Sequence, residues 1–371
     1  MKPGPDAAGA AGSAGAALAA LPAPLAGWAA ELLGAVPAAE RLATCEHCAM
    51  CDMNTRADTP ALPQRVLFDP TTRCCTYRPF LPNYLAGAIL SDPAVSEHGR
   101  TTLLERMAQG DATPLGVRVD AAYQLLYDHA RAPAFGRAVA LRCPHQLPSG
   151  GCGIWQHRPA VCATWYCKHE RGAVGDRQWK SLNRVFGTAE QALALWCLQA
   201  LDWPPLAQCD AQADLTRDVL DAATLDRWRD TARDEPSWGP WLGREAEFYI
   251  ACDEKARTLA WADVQALGGA SLAAWAGHAR QASQAHADTA LPAQLRAGRF
   301  EVLGAAAGQL WLSTYSAFDP LEVSPDVLAL VARCDGRSTE VIVDEHEAAT
   351  GQRPMRTLLR ALLDHGVLEP G

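Results

Sequence analysis

Cysteines stand at Cys45, Cys48 and Cys51 with two residues in each gap, a vicinal pair follows at Cys74 and Cys75, and four more occupy Cys143, Cys152, Cys162 and Cys167. Two-residue gaps let neighbouring thiolates converge on one metal or cluster while backbone amides point at the sulfurs. Adjacent cysteines close a mutual disulfide only through a strained peptide, but they can bracket one metal or serve two. Taken singly, each of the nine reads as a small buried hydrophobe. Taken together, with vicinal and two-residue spacings, they read as metal ligands. Disulfide staples are the competing explanation. The chain has thirteen cysteines, an odd number, and the start of the sequence lacks the marks of an export signal, so a reducing cytoplasm and metal binding are the expectation.

Soft thiolates select zinc or iron–sulfur, so the expected cofactor is an iron–sulfur cluster or Zn/Fe ions. Nine thiolates exceed one tetrahedral site; using them all takes two sites, or a cluster plus a mononuclear metal. A ferredoxin-type run would add a cysteine just beyond Cys51, where Thr55 and Arg56 stand instead, and the spacing differs from that of radical S-adenosylmethionine enzymes. His47, His145, His157 and His169 lie among the cysteines and read as supporting or surface residues, because the thiols already suffice. Arg158 is expected to donate to thiolates or carbonyls. Trp155 and Trp165 are expected to pack so as to keep water from the site.

The elements that must position these residues are mainly helical. The 371 residues carry a net charge of −9, which argues against a chain that coats nucleic acid or an anionic membrane. Residues 41–180 are the cationic exception, with 16 Lys/Arg against 12 Asp/Glu, as a shell around several thiolates requires. The Ala/Gly/Pro-rich residues 1–24 read as a disordered tail: Asp6 and several prolines spoil both a signal peptide and a membrane span. From Leu25, Trp28, Leu32, Leu33 and Val36 form one helical stripe. Thr188 and Gln191 resemble a capping box opening a helix that Pro204 and Pro205 end. Residues 244–261 give a second helix with Phe248, Cys252, Ala256 and Leu259 on one face. Cys197 and Cys252 are expected in the core. Pro159 suits the start of a helix running through Cys162 and Tyr166.

The spacing predicts that the last part of the chain holds a strand at "LWLSTY" and three helices: one begun by Ser324 and Pro325 and ended by Gly336, one from Ser338 to Gly351, and one ending at Gly366. "VLE" closes with a strand. The fold class expected is mainly α with few short strands. An irregular metal-stabilised cysteine-rich domain spans 25–180, a helical middle region 181–303, and a small winged-helix-like α+β module 304–371.

The run "CPHQLPSGGCGIWQHRPAVCATWYC" resembles the second half of the YkgJ-type cysteine-cluster proteins, described as zinc/iron-chelating. Cys143, Cys152, Ile154, Trp155, Arg158, Pro159, Cys162 and Cys167 match that pattern, as do Cys45, Cys48 and Cys51 upstream. Position 52 is Asp where the family has a further cysteine, and the vicinal pair comes later. The segment 321–351 resembles the PqqD-like peptide-binding domains through Val327, Leu330, Cys334, Asp335, Gly336, Ile342 and, further on, Gly366. That resemblance implies a peptide or protein partner at residues 304–371.

DNA is the rival ligand for such a module. Arg353, Arg356 and Arg360 are expected on its last helix, but residues 309–371 net −5, the wrong footprint. The function expected is a metal-binding protein without catalysis of its own. The alternative is a metal-dependent enzyme that modifies a peptide or protein, since flagellin lysine N-methylases are distantly similar in their cysteine run. Nucleotide-loop and hydrolase motifs are absent.

Overall fold

The computed structural model describes residues 21–43, 48–51, 66–203 and 238–371. Cys45, His47, Cys209, Pro204, Pro205 and the tail before residue 21 lie outside the described residues. About half of the described chain is helical, with three small antiparallel sheets of three strands each. The coarse expectation of mainly α structure with few strands therefore holds.

Helix α1 (Ala23–Leu33) buries Leu25, Ala29 and Leu32 and ends at Gly34 in the left-handed conformation. Strand β1 (Leu81–Pro82) leads into α2 (Asn83–Ser91), which is buried along most of its length. Asn83 anchors α2: its Nδ2 donates to the carbonyls of Pro114 and Ala194, and its Oδ1 accepts from the Tyr84 N–H. Helix α3 (Glu97–Arg106) is capped by Ser96, whose hydroxyl accepts from the Gly99 N–H. Strands β2 (Ala112–Thr113) and β3 (Gly116–Val117) complete the first sheet, and α4 (Ala121–Ala134) follows.

Pro159 was expected to open a long helix, but α5 spans only Ala160–Ala163. Thr164 donates back to the Ala160 carbonyl while accepting from Asn183, and the chain then bends to set Tyr166 against Trp179, 4.7 Å between ring centroids. Cys162 and Tyr166 therefore do not share a helical face.

A second correction concerns Thr188. Helix α6 runs unbroken from Gly172 to Ala200, and Thr188 sits inside it, donating to the Arg184 carbonyl. The apolar stripe Val174, Trp179, Leu182, Val185, Phe186, Ala189 and Leu193 continues through the supposed start, and its burial overrides the local signal. Helices α7 (Glu245–Ala256) and α8 (Trp261–Ala287) pack on α2 and α6, respectively. Cys197 and Cys252 are fully buried among them, with the Cys197 thiol 3.6 Å from the Cys252 carbonyl. One continuous core joins α1, α2, α3, α5, α6, α7 and α8. The cysteine-bearing segment thus shares its interior with the helical middle region.

A carboxyl lies in that core. Glu190 accepts the Ala160 N–H at 2.7 Å, and burial pushes its pKa up to about 8 from 4.5. The folded state keeps a proton there that the unfolded chain releases near pH 4.5. Stability from this group is therefore full below pH 4.5 and lost as the pH rises toward 8. Urea melts of Glu190→Gln at pH 5, 7 and 9 are expected to lose this component. The wild type should fall relative to the variant by a few kcal/mol, on the order of 1.4 kcal/mol per pH unit within the window.

The C-terminal module has its own core. Strand β4 (Gln294–Ala297) lies between β8 (Asp335–Ser338) and β9 (Leu368–Pro370). Strands β5 (Glu301–Ala306), β6 (Gln309–Ser313) and β7 (Leu321–Val323) form the other sheet. The boundary expected at residue 304 falls inside β5, and β4 joins the module ahead of it. The β5–β6 hairpin turns on Ala307 and Gly308, both at positive φ, as a two-residue hairpin loop requires. Helix α9 (Val327–Val331) starts and stops later and earlier than the Ser324–Gly336 expectation. Helices α10 (Thr339–Thr350) and α11 (Arg356–Asp364) follow the expected spacing, with left-handed Gly351 ending α10. Among the described residues no helix is long and apolar enough to cross a membrane.

Candidate metal centre

A turn at residues 69–76 carries the vicinal pair. Asp69 takes the Thr71 N–H and hydroxyl, its backbone N–H donates to the Gly136 carbonyl, and the Gly136 N–H donates to the Thr76 hydroxyl. Arg73 adopts φ +51°, and its guanidinium binds the Gly150 carbonyl at 3.2 Å. These bonds leave Cys74 and Cys75 on a rigid corner.

Cys75 faces the second half of the cysteine run. The Cys143 N–H donates to the Cys75 carbonyl at 2.7 Å, and the Gln146 side chain donates to the Thr72 carbonyl. A bridge between Gln146 and Cys152, together with the Gly153 N–H on the His145 carbonyl, folds the 152–154 loop back onto 143–146. Cys162 comes from α5. Cys75, Cys143, Cys152 and Cys162 thereby stand within electrostatic reach of one another although up to 87 residues apart in sequence.

Backbone amides are aimed at two of these sulfurs. The His145 N–H donates to Cys143 and the Ile154 N–H to Cys152, in each case from two residues on. Amide donors at that offset stabilise thiolate. Burial works the other way, pushing the Cys143 thiol up to about 12, Cys152 to about 11 and Cys162 well above its ordinary value. Cys75 is the exception. Its thiol is lowered because Cys74 donates a hydrogen bond to it, with Arg73, Arg158 and Arg142 adding attraction. Arg158 donates to the Trp155 carbonyl at 3.2 Å and stacks 3.4 Å over its ring, which meets the expectation of a carbonyl partner.

A second set lies on the other side of the corner. Cys48, Met50, Cys51 and Phe68 form a small buried cluster, against which Cys74 and Cys167 pack. Burial and the neighbouring Cys48 push the Cys51 thiol up to about 12. Phe135, Trp165 and Phe318 crowd round Phe68, with the Phe68–Phe318 centroids 5.5 Å apart. Trp165, expected to keep water from the site, packs against Phe68 and Phe135 in this wall but stays 36% exposed itself. Phe318 comes from the C-terminal module, which is fastened here by Lys168 on the Phe318 carbonyl, the His169 N–H on Asp319, and Arg171 on Asp364 at 2.6 Å.

The described histidines have other partners. His145 is buried, its pKa pushed down to about 3 by burial and by Arg106. Arg106 donates to its Nε2, so Nδ1 carries the proton and donates to Thr102. His157 binds Asp92 at 2.7 Å, and the His169 ring faces the Tyr315 hydroxyl. Arg106, Asn83 and Phe318 carry no signal in the sequence, because their contacts with His145, Ala194 and Phe68 come from distant parts of the chain.

No two described cysteines are joined by a disulfide. Among the described residues no group of three or more His, Cys, Asp or Glu side chains is arranged to hold a metal ion as it stands. The donor chemistry nonetheless suits a soft metal, because the groups are thiols, amide donors reach two of the sulfurs, and guanidinium groups offset charge. No family model, no curated protein and no solved structure matches this chain.

Proposed function

We propose that the protein binds a soft metal ion or an iron–sulfur cluster through its cysteine cluster. The observation that carries this reading is that Cys75, Cys143, Cys152 and Cys162, carried by three separate segments and free of disulfides, lie within electrostatic reach of one another and of Arg158. Ligation requires the buried thiols to lose their protons and draw together, so binding releases protons and stiffens the loops that carry them. Bound there, the metal would supply a fixed positive centre or a redox couple. The chain's own part is to orient the sulfurs, donate amide hydrogen bonds and exclude water.

The C-terminal module, seated beside Cys167, is the natural carrier of a peptide or protein partner in this reading. Nucleic acid is disfavoured as its partner, because Arg353 is shared among Glu340, Asp344 and Glu347 and Arg360 is paired with Asp364.

A second reading, an enzyme that modifies such a partner, is favoured by one observation. A cleft of about 680 Å³ between α1, α2 and α7 has the His157–Asp92 pair in its wall, and His157 lies between Cys152 and Cys162 in sequence.

Metal analysis and absorption spectra of protein purified without oxygen test the first reading. Cys152→Ser and Cys162→Ser are expected to lose metal, while Cys252→Ser, altered in the helical core, should retain it. Equal loss in all three, or a wild type that holds no metal, would contradict the reading.

A further inference from the structure

The cleft between α1, α2 and α7 has a floor and a rim of different chemistry. Trp28, Tyr84, Leu85, Leu193 and Val264, from four helices, give it an apolar floor. The walls are fixed. Trp28 stacks on Trp261 with centroids 5.5 Å apart and 30° between the ring planes. Helices α2 and α7 meet so closely that a Cβ on Gly87 would collide with the Tyr249 carbonyl, and only glycine fits there. Ser91 Oγ donates to Asp253 at 3.1 Å and ties the same two helices at the rim. At about 680 Å³ this hollow is of the size that takes a small organic molecule.

The rim carries charge of one sign in excess. Asp92, Asp253 and Glu254 stand there with one guanidinium, Arg257, and one imidazole, His157. The sum is negative whether or not the imidazole is protonated. Arg257 is committed to Asp253, its Nε on Oδ1 at 2.9 Å and its second nitrogen on Oδ2 at 2.7 Å. An anion would therefore meet three carboxylates and a guanidinium already paired. A cation meets spare acceptors. Asp92 takes the Ala94 N–H at 2.8 Å on Oδ1 and the His157 ring at 2.7 Å on Oδ2. A carboxylate has about four acceptor positions, so Asp92 and Asp253 both keep capacity for a further donor.

We propose that this cleft binds an amphipathic amine: a small molecule whose apolar body rests on Trp28 and Leu85 and whose protonated nitrogen sits at the rim beside Asp92, Asp253 and Glu254. The floor supplies burial without choosing a charge, and the rim selects the cation through charge-assisted hydrogen bonds. The site is independent of the metal reading, and binding there holds whether or not chemistry follows it.

Three probes share one ring body and differ in charge: 1-naphthylmethylamine, 1-naphthalenemethanol and 1-naphthoate. Calorimetric titration of the full-length protein at pH 7.5 and low salt is expected to favour the amine over the carboxylate by about tenfold or more, with the alcohol between. Raising the salt to about 0.5 M should shrink that ratio. Glu254→Lys, on the exposed side of the rim, should bring amine and carboxylate to within about threefold of each other. Equal affinity for all three probes, a preference for the carboxylate, or no binding of any of them overturns the proposal. Ala256→Trp, which fills the cleft from α7, should abolish binding. Since that variant can lose its fold, amide exchange of the wild type with and without the amine locates the site independently. Slowed exchange in residues 84–93 and 250–257 supports the cleft, and protection confined to other segments overturns it. Slowed exchange in the same segments on raising the protein concentration, without the amine, would assign the cleft to a second copy of the chain and overturn the proposal.

Discussion

Replacing Arg106 with methionine is expected to destabilise the protein by about 3–5 kcal/mol, the range for removing one partner of a buried charge pair. Arg106 is 2% exposed and sits where four segments meet. Its guanidinium donates to His145 Nε2 at 3.0 Å, to the Pro79 carbonyl at 3.1 Å and to the Arg118 carbonyl at 2.9 Å, while Asp111 lies 3.7 Å from its Nε. Burial lowers the Arg106 pKa and raises that of Asp111, so desolvation outweighs the attraction within the pair. The cation is thus worth more for the groups it satisfies than for the ion pair. Methionine fills the volume but strands a buried carboxylate, an imidazole nitrogen and two carbonyls. Adding Asp111→Asn to the variant should recover part of the loss by removing the stranded charge. Urea denaturation of the wild type and both variants measures this, and a cost below about 1 kcal/mol for the single change would show that water can replace the guanidinium.

Gly99→Ala is expected to cost about 2–3 kcal/mol, from overpacking, and, under the metal-binding proposal, to weaken metal retention several-fold although no thiol is altered. A Cβ at Gly99 on α3 would lie 2.3 Å from the Gly153 carbonyl oxygen and 2.8 Å from its carbon. Those atoms belong to backbone that is held in turn by the Ser96 hydroxyl and by the Gly153 N–H on the His145 carbonyl. Relief therefore has to come from moving the loop, and that loop carries Cys152 and the Ile154 amide aimed at its sulfur. Gly27→Ala is the matched control. Nothing lies within 4 Å of a Cβ there, and in α1 the substitution should be neutral or stabilising by roughly 0.5–1 kcal/mol. Chemical denaturation gives the stability term and metal analysis after dialysis against a chelator gives the retention. Equal metal retention by Gly99→Ala and a metal-binding wild type, with no loss of stability, would overturn the claim that α3 positions the Cys152 loop.

These two residues mark where the sequence stops being readable. The thiols announce themselves by type and spacing, and the C-terminal helices by their caps and apolar period; α10 ends at Gly351 because only the left-handed conformation closes the helix there. Cys197 and Cys252 read correctly as core because each interrupts an apolar helical stripe. Which of the remaining thiols come near one another could not be read, since it depends on where the corner at Cys74–Cys75 is placed. That is decided by contacts with Gly136 and Gly150, more than sixty residues downstream. The helix at Thr188 was misplaced for a related reason. A threonine followed by glutamine has the local pattern of a start, while burial of Trp179, Leu182 and Phe186 carries the helix through it from Gly172. Local chemistry names the parts, and long-range packing assigns them to places.

The position of Phe318 has a consequence for the order of events on the ribosome. Cys167, the last of the clustered thiols, leaves the exit tunnel well before the residue that roofs its pocket, because 151 positions separate them. Until the stretch carrying Phe318 is synthesised and docked, the aromatic wall around Phe68 lacks that ring. The contacts of Lys168, His169 and Arg171 with the module likewise form only after that stretch has been made.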